Sequence, residues 1–366
     1  MQSVFFTLEI VCVWLSALFN HTGLGETYHT NEITLLVMVL CTLAALLRDR
    51  RKTVPPDLFF AFSGTAAIFT GSALYHGYGL SGLQYLSCFL LIYLFSRLRV
   101  RERGMYLSGL VCLGLGAAIL LIFNYGTQLS GWNSNSVAMI GLFSYILFVA
   151  ACYNLGSRWA KFMILLAGGG MIWLTAQTDS RSCMVMLVIV MALAVLMRRS
   201  LRLLRSRRWL LLLLLIPLIV AAATALLSLT GAFAQLDAWS QANFDKPIFN
   251  GREVLWRSGF AQMAQHLLFG SGKISELNWH NTAVACLTNF GVLGYLFWLG
   301  VLYALLKRGS AWLPDPVVAG CMMAFLLMNA QQSVELGMFE QQPNLLIYLP
   351  LGLMLGRIRY LKGARR

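Results

Sequence analysis

Charged side chains are scarce in this 366-residue chain: Asp, Glu, Lys and Arg make up 11% of it, and hydrophobic residues 58%. Soluble domains usually carry about 25% charged residues, so a water-soluble enzyme, a disordered chain and a secreted disulfide scaffold are excluded. Acidic residues are the scarcer sign, with 14 Asp and Glu against 28 Lys and Arg. In a membrane protein this excess reflects basic residues held on the cytoplasmic side, and it requires no nucleic acid.

Metal-binding cysteine patterns are also lacking. The eight cysteines lie inside apolar runs or at their ends, without a CxxC pair or a Cys/His cluster. This distribution is typical of cysteines packed as small hydrophobic residues, and it argues against a zinc or iron–sulfur site. The first residues, MQSVFFTLE, lack a basic segment. We therefore expect a retained first span rather than a cleaved signal peptide.

Long apolar runs fill most of the chain, and their length predicts membrane-spanning helices. Barrel strands are excluded because they are shorter, and open sheets are excluded because lipid cannot satisfy their edges. We predict an all-α integral membrane protein, with residues 1–366 forming a single polytopic domain of about 12 transmembrane helices. The predicted segments are 3–19, 33–47, 57–75, 80–96, 105–123, 136–155, 160–177, 183–197, 209–229, 283–306, 317–333 and 342–356.

Strict alternation of the loops divides the basic residues into two unequal sets. One side holds 23 of the 28 Lys and Arg residues, including RDRRK at 48–52. Because basic residues accumulate on the cytoplasmic side, we predict that both termini are cytoplasmic and that the other side is the outer one. All five histidines also fall on the outer side. Its five basic residues are Arg181, Lys246, Arg252, Arg257 and Lys273.

One predicted outer loop, 230–282, is long. Within it, 251–268 has a helical pattern, with Asn250 as N-cap, Glu253 three residues later, and glycines after its end. We predict an amphipathic helix lying at the outer membrane surface, with Arg252 and Trp256 on one face because they are four residues apart. Its apolar positions are Val254, Leu255, Met263, Leu267 and Leu268, and the glycines that end it are Gly270 and Gly272.

A second outer feature is the arginine in TAQTDSRSC, between two spans. Arg181 either forms a local ion pair with Asp179 or acts as a bidentate fork for a phosphate. A third feature is His280, just before the tenth span, which either makes a local hydrogen bond or serves as a general base.

A fourth outer feature is the segment GWNSNSVA, in which Asn133 or Asn135 is expected to cap the sixth span. Taken together, an outer pair of arginines, a histidine and a long helical loop predict binding of an anionic, phosphate-bearing ligand at the outer leaflet.

In this order and spacing, the motifs resemble the bacterial O-antigen ligase and O-antigen polymerase superfamily. They cover about 130–306, and elsewhere the topology alone agrees. GWNSNSVA, with Asn135, is similar to an asparagine-containing segment before a middle span of that family. The other matching stretches are TDSRSC with Arg181, NGREVLW with Arg252, LLFGSGKISE with Gly270 and Gly272, and WHNTAVACLTNFGVLGY with His280, Asn281, Gly291 and Gly294.

The resemblance implies a multi-span glycosyltransferase of the GT-C type in the bacterial cytoplasmic membrane. Such enzymes take a glycan from undecaprenyl diphosphate at the outer face and transfer it to a sugar hydroxyl, with inversion and without a metal or another cofactor. The implied partners are the lipid-linked donor, a glycan or lipid-linked glycan acceptor, and membrane lipids.

Carried over residue by residue, the resemblance implies that Arg181 and Arg252 hold the diphosphate and that His280 is the catalytic histidine. No DxD-like acidic cluster occurs on the outer face, so the arginines are the available charge for the leaving group. Glu253 is expected to cap its helix rather than to orient Arg252. The remaining candidates for substrate contact are Asn135, Asn281, Trp256 and Trp279, of which the two tryptophans either stack on sugars or belong to the interfacial aromatic belt.

Three functions remain open at this point. The modest outer loop leaves little room for a module that recognises a large acceptor, which favours a polymerase of lipid-linked repeat units over a ligase to the lipid A core. A flippase for the lipid-linked glycan is the third alternative. It is disfavoured because no internal repeat is evident and polar groups cluster on one side.

Overall fold

A computed structural model describes residues 2–21, 55–126, 132–153, 157–274, 278–335, 339 and 343–364. Over these residues the predicted all-α architecture is confirmed, because they form helices and turns without a β-strand. Short helical turns also occur at Thr65–Thr70, Ser81–Tyr85 and Leu345–Ile347. The α-helices are α1 (Gln2–His21), α2 (Pro56–Gly64), α3 (Gly71–Tyr75), α4 (Leu86–Arg97), α5 (Glu102–Tyr125), α6 (Ser134–Cys152), α7 (Arg158–Ala176), α8 (Arg181–Val195), α9 (Met197–Arg205), α10 (Arg207–Leu214), α11 (Ile216–Leu227), α12 (Gly231–Phe244), α13 (Arg252–Gln265), α14 (Thr282–Ser310), α15 (Pro316–Gln331) and α16 (Leu349–Ala364).

Five helical stretches of the described residues are long and apolar enough to cross a membrane: Pro56–Tyr75, α5, α6, α7 and α14. A sixth is added if α10 and α11, which meet at a bend of 56°, form one span. Ten of the twelve predicted segments lie largely within helical stretches, and the segment 33–47 lies outside the described residues. The predicted segment 342–356 begins too early, because α16 begins at Leu349 and continues to Ala364. The count of twelve spans and their orientation remain predictions.

Side-chain caps fix the start of several helices. The Oδ1 atom of Asn133 accepts a hydrogen bond from the backbone N–H of Asn135, so the first of the two predicted caps for α6 is confirmed. Such caps satisfy N–H groups that have no partner within the helix. Equivalent caps are made by Ser157 at α7, Asn281 at α14 and Asp315 at α15.

Helix α6 is the centre of the bundle. It is apolar on all sides, and every residue from Ser136 to Cys152 is buried, as expected for a helix enclosed by others. Helix α5 approaches it closely through small residues, since a Cβ atom added to Gly116 would lie 2.5 Å from Cβ of Ser144. Helices α8 and α15 pack on other sides of α6, and both also form walls of a large cavity.

Helix α14 is interrupted at Gly291, where φ is 66° and ψ is −170°. Segment 267–272 lies in the gap. The backbone N–H of Gly272 donates to the carbonyl of Asn289 at 2.8 Å, and the N–H of Val292 donates to the carbonyl of Leu267 at 2.9 Å. The interruption therefore leaves these backbone groups paired, a requirement for broken helices at membrane depth.

The predicted outer loop 230–282 contains two helices, whereas the sequence pattern indicated one. Helix α13 confirms a helix within 251–268, but it ends at Gln265, and Gly270 and Gly272 belong to the segment in the α14 gap. Asn250 does not cap it, because Gly251 holds the N-cap position without a side-chain bond. Two assigned apolar positions, Leu267 and Leu268, lie beyond the helix end, and Val254 is 59% exposed.

Candidate functional site

An elongated cavity of about 930 Å³ lies between α8, α9, α10, α11, α15 and the loop before α13. Its volume falls in the range of ligand pockets, roughly 300–1,000 Å³. One end, which we call the site end, is polar. The other part is a shaft with apolar walls. The polar lining includes Asn135, Asp179, Arg181, Ser182, Lys246, Arg252, Gln331, Ser333 and Glu335, and the apolar lining includes Val185, Met186, Ile189, Leu193, Ile216, Val220, Met323, Leu326 and Leu327.

The shaft follows one face of α8. Ser182, Met186, Ile189 and Leu193 recur at the helical spacing that places residues on a common side. From Ser182 to Leu193 the helix rises about 17 Å, a little more than half the roughly 30 Å hydrocarbon thickness of a bilayer. A cavity of this form fits an amphipathic molecule with a polar head at the site end and an apolar chain along α8.

Arg181 is the first residue of α8 and lines the site end. Its Nη2 atom donates to the backbone carbonyl of Pro247 at 2.9 Å, which fixes the loop before α13 over the cavity. Within the described part of the chain, no carboxylate lies at ion-pair distance from its guanidinium. Arg181 therefore forms no direct ion pair with Asp179, although its charge makes a small contribution to the lowered pKa of that carboxyl.

Asp179 instead pairs with Lys246, with Nζ and Oδ2 2.9 Å apart. The chain turns sharply here, since Asp179 has a φ of 61°. The hydrogen bond and the charge of Lys246 lower the pKa of this exposed carboxyl. Because both side chains are open to solvent, the pair contributes little stability, but it adds a second contact between the α7–α8 turn and the loop that covers the cavity.

Arg252 is held by an acidic residue that the sequence analysis did not identify. Its Nη2 atom lies 3.1 Å from Oε1 of Glu335, and the same oxygen accepts a hydrogen bond from Ser182 Oγ at 3.2 Å. The side chains of Arg252 and Glu335 are only 15% and 4% exposed. Glu335 thus links Arg252 to α8 directly beside Arg181, and both predicted arginines line one cavity.

Burial raises the pKa of the Glu335 carboxyl, and the charge and hydrogen bond of Arg252 counteract part of this effect. The sequence offered one signal for this residue: QQSVEL places an acid directly after an apolar segment, in a chain with only 14 acids. The interpretation of Glu253 as a helix cap is wrong, because Gly251 holds the N-cap position of α13 and Glu253 makes no capping hydrogen bond to the described residues. The carboxylate that orients Arg252 is Glu335.

His280 lies near Arg252 but outside the cavity lining. Its backbone has a φ of 49°, and its N–H donates to Oδ1 of Asn278 at 2.8 Å. Burial, with a smaller contribution from the charge of Arg252, lowers the pKa of His280 to about 4. Its Nδ1 atom has no hydrogen-bond partner among the described residues. The ring is therefore neutral at pH 7 and able to accept a proton.

Asn281 has a structural role, and its assignment to substrate contact is a correction. It is 1% exposed. Its Oδ1 atom accepts from the N–H groups of Ala283 and Val284, while its Nδ2 atom donates to the carbonyls of Pro217 and Ser333. All of its hydrogen-bonding capacity is used in joining α11, α14 and the end of α15.

The two tryptophans are also structural, and their burial argues against the alternative in which they stack on sugars. Trp256 is fully buried and donates from Nε1 to the carbonyl of Trp279 at 2.8 Å. Trp279 is 5% exposed, and its ring lies against Gly259 of α13. Neither lines the cavity. Arg252 and Trp256 therefore differ in role, because Arg252 borders the cavity and Trp256 anchors α13 to the bundle.

Asn135 lines the site end of the cavity together with Ser134. Since Asn133 provides the cap of α6, the side chain of Asn135 does not serve as that cap. Trp239 of α12 also lines the cavity, which the sequence analysis missed.

Among the described residues there is no group of three or more His, Cys, Asp or Glu side chains that could hold a metal ion. Compared with known proteins, the chain matches no protein-family model and no curated protein. The resemblance to the O-antigen ligase and polymerase superfamily therefore rests on the quoted motifs alone. At this level the chain is a multi-helix protein with apolar spans and a cavity that is cationic and polar at one end.

Proposed function

We propose that this protein is a membrane glycosyltransferase that takes a glycan from undecaprenyl diphosphate at the outer face of the bacterial cytoplasmic membrane and transfers it to a sugar hydroxyl of another lipid-linked repeat unit. The observation that carries this proposal is the cavity with Arg181 and Arg252 at one end and an apolar shaft along α8. A polyprenyl diphosphate has the same two parts in the same order.

The site end suits a diphosphate because of its charge. Three basic and two acidic side chains line the cavity, and one acid, Asp179, is engaged with Lys246 at the surface. Arg181 has no carboxylate partner among the described residues, and Arg252 has its single partner Glu335. Guanidinium groups bind phosphate oxygens in bidentate fashion and stabilise the negative charge that grows on a leaving diphosphate.

The apolar shaft suits the first isoprene units of the lipid. Its walls come from α8, α11 and α15, and they are formed by branched aliphatic side chains and methionine. Because the polyprenyl chain is already dissolved in the bilayer, moving it into the shaft gains little hydrophobic free energy. The shaft aligns the chain by packing, and the arginines supply the interaction with the head.

His280 is the proposed base that accepts the proton of the attacking hydroxyl. A pKa of about 4 keeps the ring unprotonated at neutral pH, but it also makes the free ring a weaker base than an ordinary imidazole, whose pKa lies near the operating pH. Because the charge of Arg252 contributes to that low pKa, a diphosphate bound to Arg252 would raise the basicity of the ring when the donor is in place.

The polymerase assignment is favoured over a ligase by the arrangement of loop 230–282. Its described residues form α12, α13 and the segment that fills the α14 gap. They leave little chain for a separate module that would recognise a large acceptor.

The test is single-turnover transfer by the purified protein, with an undecaprenyl diphosphate-linked repeat unit as donor. With the same molecule as acceptor, we expect a ladder of lengthened glycans and release of undecaprenyl diphosphate. A chelator should leave the rate unchanged. A product formed with lipid A core as sole acceptor would assign the ligase function instead. Release of undecaprenyl diphosphate without transfer of the glycan to either acceptor would contradict both the polymerase and the ligase function.

A further inference from the structure

The guanidinium of Arg252 is already engaged by a carboxylate of the protein itself. Glu335 Oε1 lies 3.1 Å from Arg252 Nη2 and accepts a second hydrogen bond from Ser182. The side chain of Glu335 is 4% exposed. A ligand diphosphate that binds Arg252 must therefore replace this carboxylate or lie against it.

Charge balance determines the protonation state of Glu335 once a diphosphate is bound. A diphosphate diester carries two negative charges, which Arg181 and Arg252 together neutralise. An ionised Glu335 beside them would leave one uncompensated negative charge in a largely buried site, and such charges are usually avoided by protonation. Since Glu335 has almost no exposed surface, it cannot exchange its arginine for water. A protonated Glu335 would instead donate its O–H to a ligand oxygen.

On the basis of the proposed function, we infer that Glu335 is a proton-linked counter-ion of the donor site, which holds Arg252 before the donor binds and takes up one proton from solvent when the diphosphate arrives. The carboxylate of Glu335 and a solvent proton form the carboxylic acid. The ion pair between Glu335 and Arg252 is replaced by an ion pair between Arg252 and the phosphate.

The surroundings of Glu335 agree with this role. Burial already raises its pKa, and the main opposing influence is Arg252, which the ligand would neutralise. Cys183 is a further titratable neighbour. Arg181 and the exposed pair of Asp179 and Lys246 line the same cavity. Among the described residues, His280 also lies near Arg252, so its titration requires a control.

The direction of the pH effect is set by linkage. The complex with the diphosphate binds one more proton than the free protein. Affinity for the diphosphate is therefore highest when the pH is below the pKa of free Glu335, and it falls as pH rises above that pKa. The dissociation constant should increase by up to about tenfold per pH unit until the pKa of the bound state is reached.

The experiment is calorimetry with the full chain in lipid nanodiscs. The probe is farnesyl diphosphate-linked N-acetylglucosamine, whose diphosphate diester does not titrate near neutrality. Titrations at about pH 6 to about pH 9, in buffers of different ionisation enthalpy, count the protons taken up. We expect uptake approaching one proton and weakening affinity as pH rises. The same sugar diphosphate without the lipid separates headgroup binding from lipid binding.

Glu335→Gln supplies a permanently neutral donor of similar shape. It should abolish proton uptake and bind the probe at least tenfold more tightly than the unmodified chain at the upper pH. Glu253→Gln is the matched control, because Glu253 is next to Arg252 in sequence and does not line the cavity. Glu253→Gln should retain the proton uptake and the pH dependence of probe binding. His280→Gln should retain most of the proton uptake and most of the pH dependence.

Binding by the unmodified chain without any proton uptake would overturn the inference, and this measurement does not require that any variant folds. Weaker binding by Glu335→Gln with the uptake preserved would also overturn it and would make Glu335 only a positioning residue for Arg252. No binding by the unmodified chain at any pH would instead overturn the proposed function.

Discussion

The backbone of Leu268 lies directly against Gly291, at the point where α14 is interrupted. A Cβ atom added to Gly291 would lie 2.4 Å from the carbonyl carbon of Leu268. The Leu268 carbonyl accepts a hydrogen bond from the N–H of Leu293 at 3.2 Å. The interruption and the segment that fills it therefore depend on each other, and together they set the position of the first half of α14 and of His280 before it.

The first prediction concerns this contact. Gly291→Ala should destabilise the protein, because a φ of 66° with a ψ of −170° is a glycine conformation and the new methyl group would meet backbone. Backbone strain of this kind costs about 1–3 kcal/mol, and the steric clash adds to it. Thermal unfolding in detergent measures the loss. Gly300→Ala on the same helix is the control, since nothing lies within 4 Å of its Cβ position. Equal stability of the two variants would contradict the geometry of the interruption.

The second prediction concerns the arginines. Arg181→Ala and Arg252→Ala should each weaken binding of the lipid diphosphate and lower turnover, and lysine should restore little because it cannot form a bidentate fork. Binding to protein in nanodiscs and single-turnover transfer measure the two effects. Arg257→Ala is the control, because Arg257 lies on α13 outside the cavity lining. If both arginine variants bound the donor normally, the arginines would serve only to fasten loops.

The third prediction concerns pH and His280. His280→Ala should leave donor binding nearly intact and lower turnover by about two to four orders of magnitude. In the unmodified protein, kcat/KM of the proposed transfer should fall as pH drops through about 4, because the ring then becomes protonated and cannot accept a proton. Arg252→Ala should raise the pKa of His280, since the charge of Arg252 helps to lower it. An NMR titration of labelled histidine checks this, with Arg257→Ala as the unshifted control. Normal turnover in His280→Ala would show that His280 is not the general base.

The fourth prediction separates structure from function at Asn281. Asn281→Ala should lower the free energy of unfolding by about 2–4 kcal/mol, through loss of a helix cap and of two buried hydrogen bonds. The midpoint of thermal unfolding should fall accordingly. Asn243→Ala, which removes one exposed side-chain contact to Trp239, should change it little. A stable Asn281→Ala protein with impaired donor binding would restore Asn281 as a substrate contact.

The fifth prediction concerns the apolar shaft. Ile189→Trp should weaken binding of an undecaprenyl diphosphate donor, because a larger side chain at this lining position narrows the cavity. Binding of a water-soluble sugar diphosphate should be affected much less. Val188→Trp is the control, because Val188 is the adjacent residue on α8, is 55% exposed and does not line the cavity. Equal effects of the two substitutions would argue against a lipid chain in the shaft.

The sequence predicted the helices because their signals are local. An apolar run of sufficient length has few alternatives to a helix in lipid, and ten predicted segments lie largely within helical stretches of the structure. Capping is local too, and Asn133 confirms it at α6. Arg181 and Arg252 were also identified from their positions, because an arginine in a sparsely charged loop stands out, and both line the cavity.

Tertiary structure decided which of the candidates reach the cavity and what each of them contacts. Glu335 is 83 residues from Arg252 in sequence, and nothing local specifies their ion pair. Trp256 and Asn281 resemble ligand contacts in the sequence, yet both are buried and hydrogen-bonded inside the protein. The reason is physical: hydrophobic length and helix capping act over a few residues, whereas burial and the pairing of charges depend on which helices meet, and only the packed bundle determines that.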